Sequence, residues 1–186
     1  MMPAVEKAGS PESEVEMNIF IMRHGQAAAE ASSDALRPLT VQGRDETCLM
    51  AQWLAAQVPK FDRVLVSPYL RATQTWQQLS NYIVGTQVEI CDELVPNADA
   101  DIAASLLLAY GDLHPDGNLL VVSHMPIVGF LVESLSPATM APIFVTAGIA
   151  KVSFGKKQGA VFDWLEGPHN VRPHYQQHCQ ALGSLG

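Results

Sequence analysis

Cysteine is scarce in this chain. Cys48, Cys91 and Cys179 stand far apart among 186 residues and are odd in number. That spacing offers neither the close pairs of a zinc site nor an even set for a disulfide framework, so all three read as free thiols. Uninterrupted apolar runs are missing too. The longest nearly apolar stretch, LLVVSHMPIVGFLVESL, is broken by Ser123, His124, Pro126 and Gly129, whereas a membrane span needs roughly 20 mostly apolar residues in a row. No membrane anchor is expected. The opening residues, MMPAVEKAGSPESEVE, have neither a basic start nor an apolar core with a small-residue cleavage site. They do not read as a secretory signal, and the cytoplasm is the expected address. Positive charge is short as well: 11 Lys and Arg against 19 Asp and Glu leave a net charge of −8, which argues against nucleic acid as a partner. The shortage is uneven. Residues 72–150 carry eight acidic groups and no Lys or Arg, while residues 23–71 hold six basic groups and five acidic ones.

What is present suits one soluble domain, since 48% hydrophobic residues supply enough apolar surface for a core. Residues 1–16 are acidic and poor in large apolar groups, and are expected to be a disordered extension. NIFIM (18–22) reads as a central strand that stops at the charged RHG. LTVQGRDETCLMAQWLAAQVP then spaces Leu49, Met50, Trp53, Leu54 and Val58 as on a helix, with Thr40 as N-cap and Pro59 as the stop. DRVLVS, QVEICDEL and NLLVVSH read as further strands. YLRATQTWQQLSNYI, DADIAASLLLAY (ending near Gly111) and PIVGFLVESL read as helices, and GIAKVSF with GAVFDWL as a hairpin. Strands alternating with helices predict an α/β domain with a mainly parallel central sheet and helices on both faces, spanning 17–166. Residues 167–186 are polar, broken by Gly and Pro, and expected to be a flexible tail. Within the tail His174 and His178 are four apart, but no carboxylate or Cys at ligand spacing joins them, so no metal is expected.

In a parallel sheet, ligands bind beyond the carboxyl ends of the strands. Three strands here deliver charged or titratable side chains to that edge: Arg23 and His24, His124, and Arg71 in the first turn of the next helix. Two arginines and two histidines on one rim suit a phosphoryl group. Its loose transition state needs positioning and positive charge on its oxygens, and arginine forks supply both. A neutral imidazole can attack phosphorus, and His24 is the expected nucleophile because Gly25 beside it allows close approach to an anion. His124 is expected to donate to the phosphoryl oxygens. Arg37 either lines the phosphate site or pairs only with Asp34.

The motifs RHG, SPYLRATQT and VVSHMPIVG, in that order and each after a strand, resemble the histidine phosphatase superfamily over about residues 17–165. The resemblance implies a phosphoglycerate-mutase-like three-layer sandwich. It implies a catalytic pocket of Arg23, His24, Arg71 and His124, with Arg23, Arg71 and His124 binding phosphate, a phosphohistidine intermediate and no cofactor. Within the family, IFIMRHGQA, RPLTVQGRDE, RVLVSPYLRATQT and VVSHMPIVGFLVESL resemble the short bacterial phosphohistidine phosphatases of the SixA type. That likeness implies as partner a phosphorylated histidine-containing phosphotransfer domain of a sensor kinase, met by a monomer.

The chain departs from the mutases where QAAAEASSD follows Gly25, and where CDELVPNADADI offers Asp92 and Glu93 in place of a longer acidic motif. A thin supply of acid fits a histidine leaving group. An alkoxide, whose parent resembles water with a pKa of about 15.7, must be protonated as it leaves. Imidazole titrates near roughly 6.5 and can pick up a proton beforehand. Glu93 is therefore an optional acid. Two other readings differ in class: a phosphatase or mutase for small phosphate esters, which needs a competent Glu93 and a lidded pocket, and a noncatalytic phosphoprotein-binding module, against which the intact Arg/His set argues.

Overall fold

The computed structural model describes residues 15–113, 116–155 and 159–172. The expectations for residues 1–14 and for His174, His178 and Cys179 lie outside the described residues. Six strands, β1 (Val15–Arg23), β2 (Lys60–Val66), β3 (Val84–Ile90), β4 (Gly117–Ser123), β5 (Ile149–Gly155) and β6 (Gly159–Glu166), form one sheet in the order β3-β2-β4-β1-β5-β6. β1 to β4 run parallel, and β5 and β6 close one side as an antiparallel hairpin. Four helices join them: α1 (Val41–Ala55), α2 (Leu70–Leu79), α3 (Ala100–Leu113) and α4 (Ile127–Leu135).

Alternation along the strands divides the core in two. Ile19, Ile21, Leu119 and Val121 face α3 and α4, meeting Ala103, Leu107, Leu131 and Val132. Phe20, Met22, Leu120 and Val122 face α1 and α2, meeting Met50, Leu54, Ala72 and Leu79. The result is the expected three layers, with β1 and β4 buried on both faces as parallel central strands must be. Trp53 and Trp76 pack against the second cluster, as core residues.

The elements depart from expectation at their ends. β1 starts at Val15, because pairing with β5 reaches back to Val15 and Met17; the expected extension of 1–16 therefore overlaps the sheet. α1 is capped as predicted, Gly43 N donating to Thr40 Oγ1 at 2.9 Å, but it ends at Ala55, where Gln57 and Val58 both turn back to the Leu54 carbonyl. α3 runs through Gly111 to Leu113. The expected tail is not free from Gly167: residues 168–172 form a helical turn, and Val171 is buried in the α1/α2 core.

Candidate active site

Strand order and register build the site. β2, β4 and β1 are neighbours, with Val66 level with Val122, and Arg23 level with Ser123. The ladder continues one step past the strands: His24 N donates to Ser123 O at 2.9 Å and Ser67 N to Val122 O at 3.0 Å. His24, Ser67 and His124 thus leave the sheet side by side on a backbone that can barely shift. The His24 and His124 rings lie 4.9 Å apart between centroids.

Gly25 lets the chain turn beneath α1. A Cβ there would lie 2.5 Å from both Gly43 O and Thr47 Oγ1, and one on Gly43 would lie 2.1 Å from Gln26 O. The two glycines allow backbone to meet backbone. Around them the loop is tied down: Gly25 N donates to Thr75 Oγ1, Thr40 N to Gln26 O, and Leu39 N to Gln74 Oε1.

His24 Nδ1 sits 2.6 Å from the Gly25 carbonyl, which can only accept, so Nδ1 carries the proton. Nε2 is left with its lone pair. Arg71 Nε donates to that lone pair at 3.1 Å, and the guanidinium of Arg71 also lies over the Tyr69 ring. Tyr69 in turn packs edge-on against His124, whose Nε2 bonds Ser67 Oγ at 2.7 Å. Arg23 Nη1 donates to Phe144 O at 2.7 Å. Two buried nitrogens of this set, Arg23 Nε and His124 Nδ1, have no hydrogen-bond partner among the described residues. Buried polar atoms without partners are uncommon and costly, which marks these two nitrogens as donors or acceptors still to be matched.

Burial and positive charge keep both imidazoles neutral. His24 is lowered to about 4, by desolvation first and then by Arg71, Arg23 and Arg37, against the opposing bond to Gly25 O. His124 is lowered to about 2, by desolvation, then His24 and Arg71. Desolvation, followed by Arg71, also lowers Arg23. At neutral pH the pocket therefore presents an unprotonated nitrogen among arginines. An unprotonated imidazole nitrogen of this kind is chemically able to attack an electrophilic phosphorus.

Arg23, His24, Arg71 and His124 come together as the sequence predicts. Arg37 does pair with Asp34, Nε to Oδ1 at 2.8 Å, yet its charge also reaches His24. Glu93 stands exposed on the turn Asp92–Leu94, accepts from the Cys91 thiol at 3.3 Å, and makes no hydrogen bond or ion pair with the four. That thiol is pushed up to about 12 by burial and by Glu93, which makes it inert. Ser67 and Tyr69 were missed as site residues. Both lie within SPYLRATQT, between a strand end and Arg71, and their position there was the available signal. Asp34 was anticipated only as a partner for Arg37, not as a residue that binds Arg71. Its carbonyl accepts from Arg71 Nη1 at 2.6 Å and its Oδ2 from Nη2 at 3.0 Å. Among the described residues, no group of three or more His, Cys, Asp or Glu is placed to hold a metal ion.

The model of the histidine phosphatase superfamily (branch 1) matches residues 19–95. Phosphohistidine phosphatase SixA of Escherichia coli is 42% identical over 159 residues, covering 84% of this chain and 97% of that protein. A SixA homolog of Haemophilus influenzae is 36% identical over 146 residues, covering 73% and 87%. The solved structure of the protein histidine phosphatase SixA complexed with tungstate superposes with a TM-score of 0.79 at 41% identity, over 83% of this chain and 99% of that one.

Proposed function

The chain belongs to the histidine phosphatase superfamily, and from that premise we propose how it works as a protein phosphohistidine phosphatase. Arg23, His24, Arg71 and His124 form the catalytic set. The observation that carries the reading is the locked tautomer of His24: proton on Nδ1, lone pair on Nε2, Arg71 above it. The tungstate held by a relative is an oxyanion of phosphate-like charge and shape. Arg23 and Arg71 hold the phosphoryl oxygens here, and His124 donates to them.

In the first step the His24 Nε2 lone pair forms a bond to phosphorus as the bond from phosphorus to the substrate imidazole breaks. The departing imidazole nitrogen takes its proton from solvent. In the second step a water oxygen attacks the phosphorus of phosphorylated His24, the N–P bond breaks, the water's proton is released, and inorganic phosphate departs. Neither step requires a strong acid, because the leaving group is an ordinary imidazole, titrating near roughly 6.5, in the first and His24, lowered to about 4, in the second. Glu93, exposed and engaged by the Cys91 thiol, fits that chemistry better than the expulsion of an alkoxide.

The substrate we assign is a histidine-containing phosphotransfer domain of a sensor kinase, met in the cytoplasm by a monomer. Among the described residues α1 and α2 pack on one face of the sheet and α3 and α4 on the other. No described helix is long and apolar enough to cross a membrane. The test compares phosphate release by wild type and His24→Ala from a phosphorylated phosphotransfer domain and from a simple phosphomonoester. A His24-dependent preference for the phosphohistidine protein is expected; faster turnover of the ester overturns the reading.

A further inference from the structure

Arg71 is 3% exposed, and two of its three side-chain hydrogen bonds go to a single residue, Asp34, whose side chain is 58% exposed. A surface carboxylate facing an arginine is ordinarily worth little. This one is different in geometry. Asp34 uses both its carboxylate and its own carbonyl on the two terminal nitrogens of the guanidinium, and the second carboxylate oxygen takes Arg37 Nε. The turn Asp34–Leu36 that presents it is closed by Leu36 N to Ser33 O and Arg37 N to Asp34 O. One acid therefore grips the outer edge of Arg71 and ties a second arginine to it.

A guanidinium has five N–H donors. In Arg71 one rests on His24 Nε2 and two are held by Asp34, so two remain for phosphoryl oxygens. The bond to His24 occupies the lone pair that must attack phosphorus. That donor has to pass from nitrogen to a phosphoryl oxygen as the substrate seats. We propose that Asp34 is a positioning residue for Arg71: it anchors the outer edge of the guanidinium, so that the inner N–H swings from His24 Nε2 to the phosphoryl group without the arginine leaving the pocket. Its negative charge has a second effect, offsetting one of three nearby arginines so that product phosphate is not held too tightly. This rests on the reading of Arg71 and His24 given above.

The test uses the full chain as wild type, Asp34→Ala and Asp34→Asn. It reads phosphoramidate turnover, binding of inorganic phosphate by titration calorimetry, and thermal melting. Asp34→Ala is expected to lower kcat roughly ten- to a hundred-fold, as misplacing a catalytic group does. Asp34→Asn, which keeps an oxygen acceptor, recovers most of that loss. Both variants are expected to bind phosphate roughly three-fold or more tightly, because one negative charge is gone. A merely structural residue cannot lower kcat while raising affinity for product. Turnover of Asp34→Ala within two-fold of wild type, unchanged or weaker phosphate binding in both variants, or equal loss in both with lowered melting would each overturn the proposal. Should wild type fail to turn over phosphoramidate, the phosphohistidine reading fails, and the phosphate titration still decides the role of Asp34.

Discussion

At His24 the environment that makes a nucleophile also sets a pH limit. Burial and three arginines hold its pKa at about 4, against an ordinary value of 6.5. The neutral form therefore dominates down to mildly acid pH, and kcat/KM should stay level above about pH 5 and fall about tenfold per unit below pH 4. A pH–rate profile on phosphoramidate checks this; a limb near 6.5 would mean the imidazole is not desolvated. The same shift affects stability. The unfolded chain binds the His24 proton more readily than the folded one, so its contribution is complete above about pH 6.5 and is lost as pH falls toward 4. Replacing His24 by Gln should make the melting temperature less dependent on pH across that window.

At the level of elements, α1 is seated on the loop that carries His24 through Gly43. Alanine inside a helix is ordinarily better than glycine by about 1 kcal/mol. Here a Cβ would sit 2.1 Å from Gln26 O, which is backbone and cannot turn aside. Gly43→Ala should therefore destabilise, by roughly 1–3 kcal/mol as overpacking does, and should lower kcat by displacing Gly25 and His24. Chemical denaturation with parallel kinetics reads both effects. The alternation of elements and the Thr40 cap were legible because period and capping are local. Arg23, His24, Arg71 and His124 were legible because each follows a strand in a family motif. Strand order was not, since nothing near NIFIM says that it pairs with both NLLVVSH and GIAKVSF. Asp34 lies in an Ala/Ser loop, and its tie to the pocket runs through Arg71, 37 residues away. The turn at 168–172 is ordered by the burial of Val171, a long-range contact that polar composition hides.

Across the whole molecule, the segment between α4 and β5 presents exposed apolar side chains next to Arg23. Residues 136–148 hold no charged side chain, and Met140 and Ile143 are more than four-fifths exposed. Phe144 beside them gives its carbonyl to Arg23, and Pro142 approaches Gly129 of α4. This apolar border adjoins the phosphate pocket and suits the surface of a docking protein. Replacing Met140 and Ile143 together by Ser should lower kcat/KM on the phosphotransfer domain about tenfold or more while leaving phosphoramidate turnover unchanged, a loss of the size seen when interface anchors are truncated. An unchanged kcat/KM on the phosphotransfer domain would place the docking surface elsewhere.

The hydrogen bond from Arg71 to His24 also protects the resting enzyme. An imidazole lone pair exposed at neutral pH would be open to acylation or alkylation by passing electrophiles. Here an N–H covers it, and an anion that takes up that donor uncovers it. On the proposed reading the pocket thus selects its reaction partner by charge before shape is consulted.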